Sequence, residues 1–292
     1  MITTSASSIT KAASKQTYYT IRFLVDRERV DDAYRAYAYF RWVDDIVDAE
    51  LTSGSQRRAF LERQKSLLES CYRGETLRDT NIHEKMLVEL VQRDHEKDSG
   101  LKAYLRNMMA VIDFDVRRRG RLISQAELNE YTRWLAVSVT EAMHYFIGNG
   151  WHAPHDETRY EAVSAAHITH LLRDTLEDIQ LGYFNIPREY LTAKGISPQD
   201  VETDPYRAWV QERVNLARTC FKSGKDYMAR VENIRCRIAG YAYIARFEAI
   251  LDAIERLDYR LVPEYPQGRG LGVGMRMSGS VLSLVLFPPI WK

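Results

Sequence analysis

Apolar residues recur at helical spacing along almost the whole chain. The pattern predicts helices over about residues 16–24, 29–49, 56–73, 82–97, 101–118, 125–148, 159–182, 206–231 and 235–258. Alternation of strand type is nearly absent. No proline occurs before Pro154, which favours long uninterrupted helices. Breaks fall at Gly148-Asn149-Gly150 with Pro154, at Gly182 to Pro187, and at Pro198 to Pro205, where Asp204 is placed to cap a helix starting at Pro205. No linker divides these segments, so one all-α domain over residues 14–260 is expected. Residues 1–13 are rich in Ser, Thr and Ala and read as a disordered tail. Glycine and proline accumulate from Pro263, so residues 261–292 read as an irregular C-terminal extension; its apolar Val281–Phe287 stretch is too short to span a bilayer.

Two of the helices carry paired carboxylates. Asp44 and Asp48, and Asp174 and Asp178, stand four residues apart, which stacks each pair on one helix face. Tyr34, Tyr37, Arg41, Asp44 and Asp48 form one stripe, running from aromatic rings through a guanidinium to the carboxylates. His167, His170, Asp174 and Asp178 form a second, with Arg173 beside it. Hard oxygen pairs of this kind suit Mg²⁺ shared with phosphate oxygens, and arginine suits bidentate phosphate contact. The plainer alternatives are solvated acidic faces or structural ion pairs.

Composition narrows the field. The 292 residues are 45% hydrophobic, enough for a large core. Forty-one basic against 40 acidic residues leave a net charge of +1, so no general field attracts nucleic acid. The run Arg117-Arg118-Arg119-Gly120-Arg121 reads as a solvated turn, or more sharply as a rim that attracts an anionic substrate. Cys71, Cys220 and Cys236 make neither a disulfide framework nor a zinc pattern, which fits a reducing, cytoplasmic setting with optional peripheral membrane contact. The sequence is silent on oligomeric state.

The stretch from Tyr34 to Asp48 resembles the first signature of the squalene/phytoene synthase family. Leu171 to Asp178 with Gly182 and Ile186-Pro187-Arg188-Glu189 resembles its second, and Glu127-Leu128 with Tyr131 and Ile250 to Tyr259 also fit. The resemblance implies an isoprenoid-synthase bundle around a central cavity, two or three Mg²⁺ ions and isoprenyl diphosphate substrates. Asp44, Asp48, Asp174 and Asp178 become metal ligands. Arg41 and Arg173 become diphosphate contacts and, with Tyr131, catalytic residues. Ser14, Tyr18, Tyr19 and Tyr37 join the substrate-binding set.

The departures from the family pattern are specific. His167 and His170 replace Gln and Asn. Val137 and Thr140 replace two helical glycines, which should straighten that helix and reduce cavity volume. Tyr183 replaces the arginine that usually follows Gly182. These five changes favour a class I terpene synthase. It would ionise a single allylic diphosphate of about fifteen to twenty carbons, linear or already cyclised, and yield a hydrocarbon or alcohol. His144, His167 or His170 is then a candidate base. The alternative is the family's head-to-head joining of two isoprenyl diphosphates. A non-catalytic family-like protein should have lost its aspartates, and a di-iron bundle needs a second Glu-x-x-His beside Glu141–His144.

Overall fold

A computed structural model of the chain describes residues 2–50, 53–75 and 79–265. Most of the 261–292 extension, including Val281–Phe287, therefore lies outside the described residues. Eleven α-helices form within the described residues, and no strand does. They are α1 (Ile2–Ala13), α2 (Lys15–Leu24), α3 (Val30–Asp45), α4 (Gly54–Tyr72), α5 (Ile82–Gln92), α6 (Gly100–Arg118), α7 (Gln125–Phe146), α8 (Glu161–Leu181), α9 (Arg188–Lys194), α10 (Asp204–Arg230) and α11 (Ile234–Arg256). None is long and apolar enough to cross a membrane.

Local chemistry sets the helix starts. Ser53 with Gln56, Asn81 with Glu84 and Ser124 with Glu127 each make a reciprocal capping box at the heads of α4, α5 and α7. Ser99 and Asn233 cap α6 and α11 with single side-chain bonds. At α10 the cap is Thr203, not Asp204: the helix begins at Asp204, one residue ahead of Pro205. Gly182 ends α8 with φ of 84°, a left-handed conformation that suits glycine.

The segment expected as a disordered tail is helix α1, packed on α2 and α3. Ala6 and Thr10 are fully buried there, and Ile9 packs against the core. Its Ser/Thr-rich composition conceals this short apolar face, which tertiary contact stabilises. α6 packs most extensively on α7, and α8 on α10; α7 and α8 also meet. Gly224 on α10 permits the close approach of α8, since a Cβ there would lie 2.7 Å from that of Ala162. α7 runs unbroken through Val137 and Thr140, as their replacement of glycine predicts. Thr140 is buried, whereas Val137 is only partly so.

Candidate active site

The first carboxylate pair is not a simple α-helical stack. The α geometry of α3 ends at Asp45, and Ile46–Glu50 widens into a π-helical turn. Such turns recur at functional sites because they redirect side chains. Asp44 is buried, while Asp48 is exposed. Arg41 holds Asp45 through both Nε and a terminal nitrogen and lies 3.6 Å from Asp44. Upstream, Tyr37 is buried, and burial pushes its hydroxyl up to about 12. Tyr34 donates to the Tyr18 carbonyl (3.0 Å) and stacks on the Tyr18 ring.

The N-terminal members of the expected substrate-binding set separate. Ser14 caps α2, accepting from the Thr17 amide (3.1 Å) and hydroxyl (2.8 Å). Tyr18 faces α3. Tyr19 points outward, stacked on Phe23.

The second pair sits in the last two turns of α8, with Asp178 buried and Asp174 partly so. Arg173 grips Asp174 with two bonds of 2.6 and 2.7 Å, and His170 Nε2 lies 2.9 Å from the same carboxylate. Burial raises the Asp174 carboxyl, but His170 and Arg173 outweigh it and hold it well below the usual range. Asp178 differs. Burial dominates and raises its carboxyl to about 8, assisted by Asp174 and opposed by Arg118 and the Asn185 amide. Its Oδ1 is buried with no hydrogen-bond partner.

A hard divalent cation suits this donor set. An orphaned buried carboxylate oxygen needs a donor or a metal, and all four aspartates offer oxygen. No three potential ligands among the described residues are gathered tightly enough to hold an ion alone. A bound metal therefore needs further oxygens, such as those of a diphosphate.

A cluster missed in the sequence joins these parts. Arg118 is only 1% exposed, not part of a solvated turn. It donates to Asp115 (2.7 Å) and to Asn185 (2.8 Å), and its guanidinium lies 4.9 Å from the centres of both the Tyr131 and Tyr183 rings. Tyr131 donates to both oxygens of Asp115 at 3.0 Å. Asn185 in turn donates to Asp178. Tyr183 feels the charges of Asp115 and Asp48, which brings the first carboxylate pair within electrostatic range of the loop after α8. The neighbouring Arg119 and Gly120 are pinned to the end of α8 through Leu181 and Gly182 carbonyls. The i,i+3 pair Asp115/Arg118 was the available signal, obscured by three consecutive arginines.

The histidines also separate. His167 is buried against the Tyr131 ring, with Nδ1 3.1 Å from the Thr132 hydroxyl and Nε2 without a partner. Burial keeps it neutral. His144 belongs instead to a network in which Arg159 grips Glu141 and donates to Tyr227. Its Nε2 pairs with the Tyr227 hydroxyl at 2.8 Å and its Nδ1 with Cys236 Sγ at 3.6 Å. Burial lowers the ring to about 3. Both ring nitrogens are engaged, which removes His144 as a candidate base.

Two further arginines stand near α8 without a carboxylate partner among the described residues. Arg213 on α10 is lowered by burial, which outweighs the opposing charges of Cys220 and Glu212, and it adds positive field at His167. Arg246 on α11 is lowered to about 10, first by burial and then by the charge of Arg173. Its Nε is buried and unbonded, as is the hydroxyl of Tyr265. A half-buried cation without an anion suggests that the anion arrives with a ligand.

An all-α bundle that carries acid–arginine segments on two of its helices, α3 and α8, fits one class: an isoprenoid-synthase fold. The family model of the squalene/phytoene synthases matches residues 10–273, and the chain belongs to that family. Phytoene synthase of Thermus thermophilus is 27% identical over 252 residues, 85% of this chain and 81% of that protein. Presqualene diphosphate synthase of Zymomonas mobilis is 29% identical over 201 residues, 68% of this chain. The chloroplastic phytoene synthase of Daucus carota is 24% identical over 256 residues, 84% of this chain. The chain spans 61% and 64% of the length of the carrot and Zymomonas proteins. Among solved structures, squalene synthase HpnC from Alicyclobacillus acidocaldarius superposes with a TM-score of 0.71 at 21% identity, covering 89% of this chain and 95% of that one; this likeness shows the fold.

Proposed function

We propose that the chain is a head-to-head prenyltransferase that joins two isoprenyl diphosphates. The observation that carries this reading is the Arg118 cluster in a member of this family: it bonds through Asn185 to Asp178 of the second acid–arginine segment and lies over Tyr183, which is within electrostatic range of Asp48 in the first. Arg41 and Arg173 offer planar forks to phosphate oxygens. Asp44, Asp48, Asp174 and Asp178 would hold Mg²⁺, which when bound supplies charge neutralisation for a departing diphosphate. The buried faces of Tyr37 and Tyr131 stabilise the allylic cation left behind. The double bond of the second substrate attacks that cation, and a proton is lost to complete the new skeleton. Neutral His167, with Nε2 unpartnered, is the group of this chain suited to accept it.

A second reading remains supported by one observation: Thr140 fills a buried position where the family usually has glycine, which favours a single substrate. The relatives named phytoene synthase and presqualene diphosphate synthase favour coupling instead. Incubation with farnesyl or geranylgeranyl diphosphate and Mg²⁺, with mass spectrometry of the product, separates the two. A product with twice the substrate's carbon count supports coupling; a single-substrate skeleton contradicts it.

A further inference from the structure

The most exposed large apolar side chains of the described residues gather at one corner. Phe23 is 62% exposed, Trp151 60%, Ile234 56% and Ile238 55%. Tyr19 and Tyr241, also exposed, extend the same two helix faces. Tyr19 and Phe23 stand four residues apart on α2 with stacked rings, and Ile234, Ile238 and Tyr241 follow i, i+4, i+7 spacing on α11. Asp26 fastens these pieces together. It accepts the amides of Gly148 (2.9 Å) and Asn149 (3.0 Å) from the loop that carries Trp151, and it pairs with Arg235 of α11. Arg235 also donates to the Leu24 carbonyl at 2.9 Å, and the Glu232 amide to the His152 carbonyl at 3.2 Å. The apolar residues are thus displayed on a rigid platform.

The charges around them are mostly basic. Lys15, Arg22, Arg27 and Arg237 lie on or directly beside the same two helices, and these arginines make no ion pair among the described residues. Glu28, Asp31 and Glu232 are exposed acids beside them. Apolar and aromatic knobs with arginines beside them match acyl chains below a phosphate layer, with the long basic stems reaching up to it.

We propose that this corner, built from α2, the Gly148–His152 loop and the first two turns of α11, is a docking surface for an anionic phospholipid bilayer. The opposite side of α2 carries Tyr18, stacked on Tyr34 at the head of the stripe that leads to Arg41 and Asp44. The bilayer-facing helix therefore also borders the substrate stripe. An apolar isoprenoid tail would pass between membrane and site beside α2; that clause rests on the proposed function, whereas the docking surface does not.

The test uses the full chain and vesicles. Wild type should sediment with vesicles of mixed zwitterionic and anionic phospholipid, and less with zwitterionic vesicles alone. Phe23→Ser with Ile234→Ser and Ile238→Ser should reduce partitioning by about a hundredfold or more. These surface changes leave the core untouched, and circular dichroism checks folding. A second variant, Ile238→Cys carrying an environment-sensitive fluorophore, should shift to the blue only when vesicles are added. Equal binding to both vesicle types, or full binding by the triple variant, overturns the proposal. So does a blue-shifted label without vesicles, which marks a corner covered by another segment of the chain. A label shift that depends on protein concentration instead marks a second copy and equally overturns it. Diphosphate release in solution by the triple variant should remain at the wild-type level, so failure here is distinct from failure of the proposed reaction.

Discussion

Replacing Arg118 by Met removes one charge and leaves several groups stranded. The guanidinium is 1% exposed and satisfies Asp115 and Asn185. Methionine fills similar volume but offers no donor. Asp115 then keeps only the Tyr131 hydroxyl, and the Asn185 carbonyl oxygen loses its partner. Removing one partner of a buried ion pair costs about 3–5 kcal/mol, because the other charge stays buried. Total stability for a domain is about 5–15 kcal/mol, so the variant should remain folded but be clearly weakened. Arg118→Lys keeps the charge but cannot reach both partners with a fork; it should lose about 1–3 kcal/mol. The measurement is urea denaturation of both variants, with diphosphate release scored per folded molecule. Because Arg118 leads through Asn185 to Asp178, both variants should also raise the Mg²⁺ concentration needed for half-maximal release. A Met variant as stable as wild type, with unchanged Mg²⁺ dependence, refutes the bridge.

Three other outcomes follow from the same geometry. Asp48 is exposed, so Asp48→Asn should alter stability by no more than about 0.5 kcal/mol yet slow turnover about a hundredfold, and near-native turnover contradicts its place in the metal site. Asp178 titrates near 8 in the folded chain against about 4 unfolded, so the folded form retains a proton that the unfolded form releases, and the metal-free protein loses stability from this group as pH rises from about 4 to about 8. Asp178→Asn should therefore gain on wild type steadily across that window in chelator; a pH-independent difference between the two unfolding curves argues against it. Arg246 is half-buried, with its Nε unbonded and no anionic partner among the described residues, so Arg246→Met should match or exceed wild type in thermal stability while KM for the diphosphate rises several-fold, and lost stability with unchanged KM shows a structural cation instead.

The helices were legible because their apolar spacing and caps are local. Ser53, Asn81 and Ser124 each announce a helix start within four residues. α1 was not legible: its buried face of Ala6, Ile9 and Thr10 gains meaning only against α3. The short α9 lacks enough turns to show a period. The carboxylate pairs were visible as spacing, but the π-helical turn at Ile46–Glu50, which sets Asp48 apart from Asp44, was not. Arg118 was misread for a comparable reason. Three adjacent arginines look solvated in one dimension, and only the return of the Gly182–Pro187 loop over α6 encloses the middle one. Tyr18 and Tyr19 illustrate the limit of neighbouring positions, since one packs on Tyr34 and the other faces outward.

Head-to-head joining is the central claim, and isotope mixing tests it most directly. The purified chain is given Mg²⁺ and equal parts of unlabelled and fully ¹³C-labelled isoprenyl diphosphate. Coupling predicts a product population whose mass is half labelled, about twice as abundant as either uniform species on statistical grounds. A product that appears only in the fully labelled and unlabelled masses, with the carbon count of one substrate, contradicts the account.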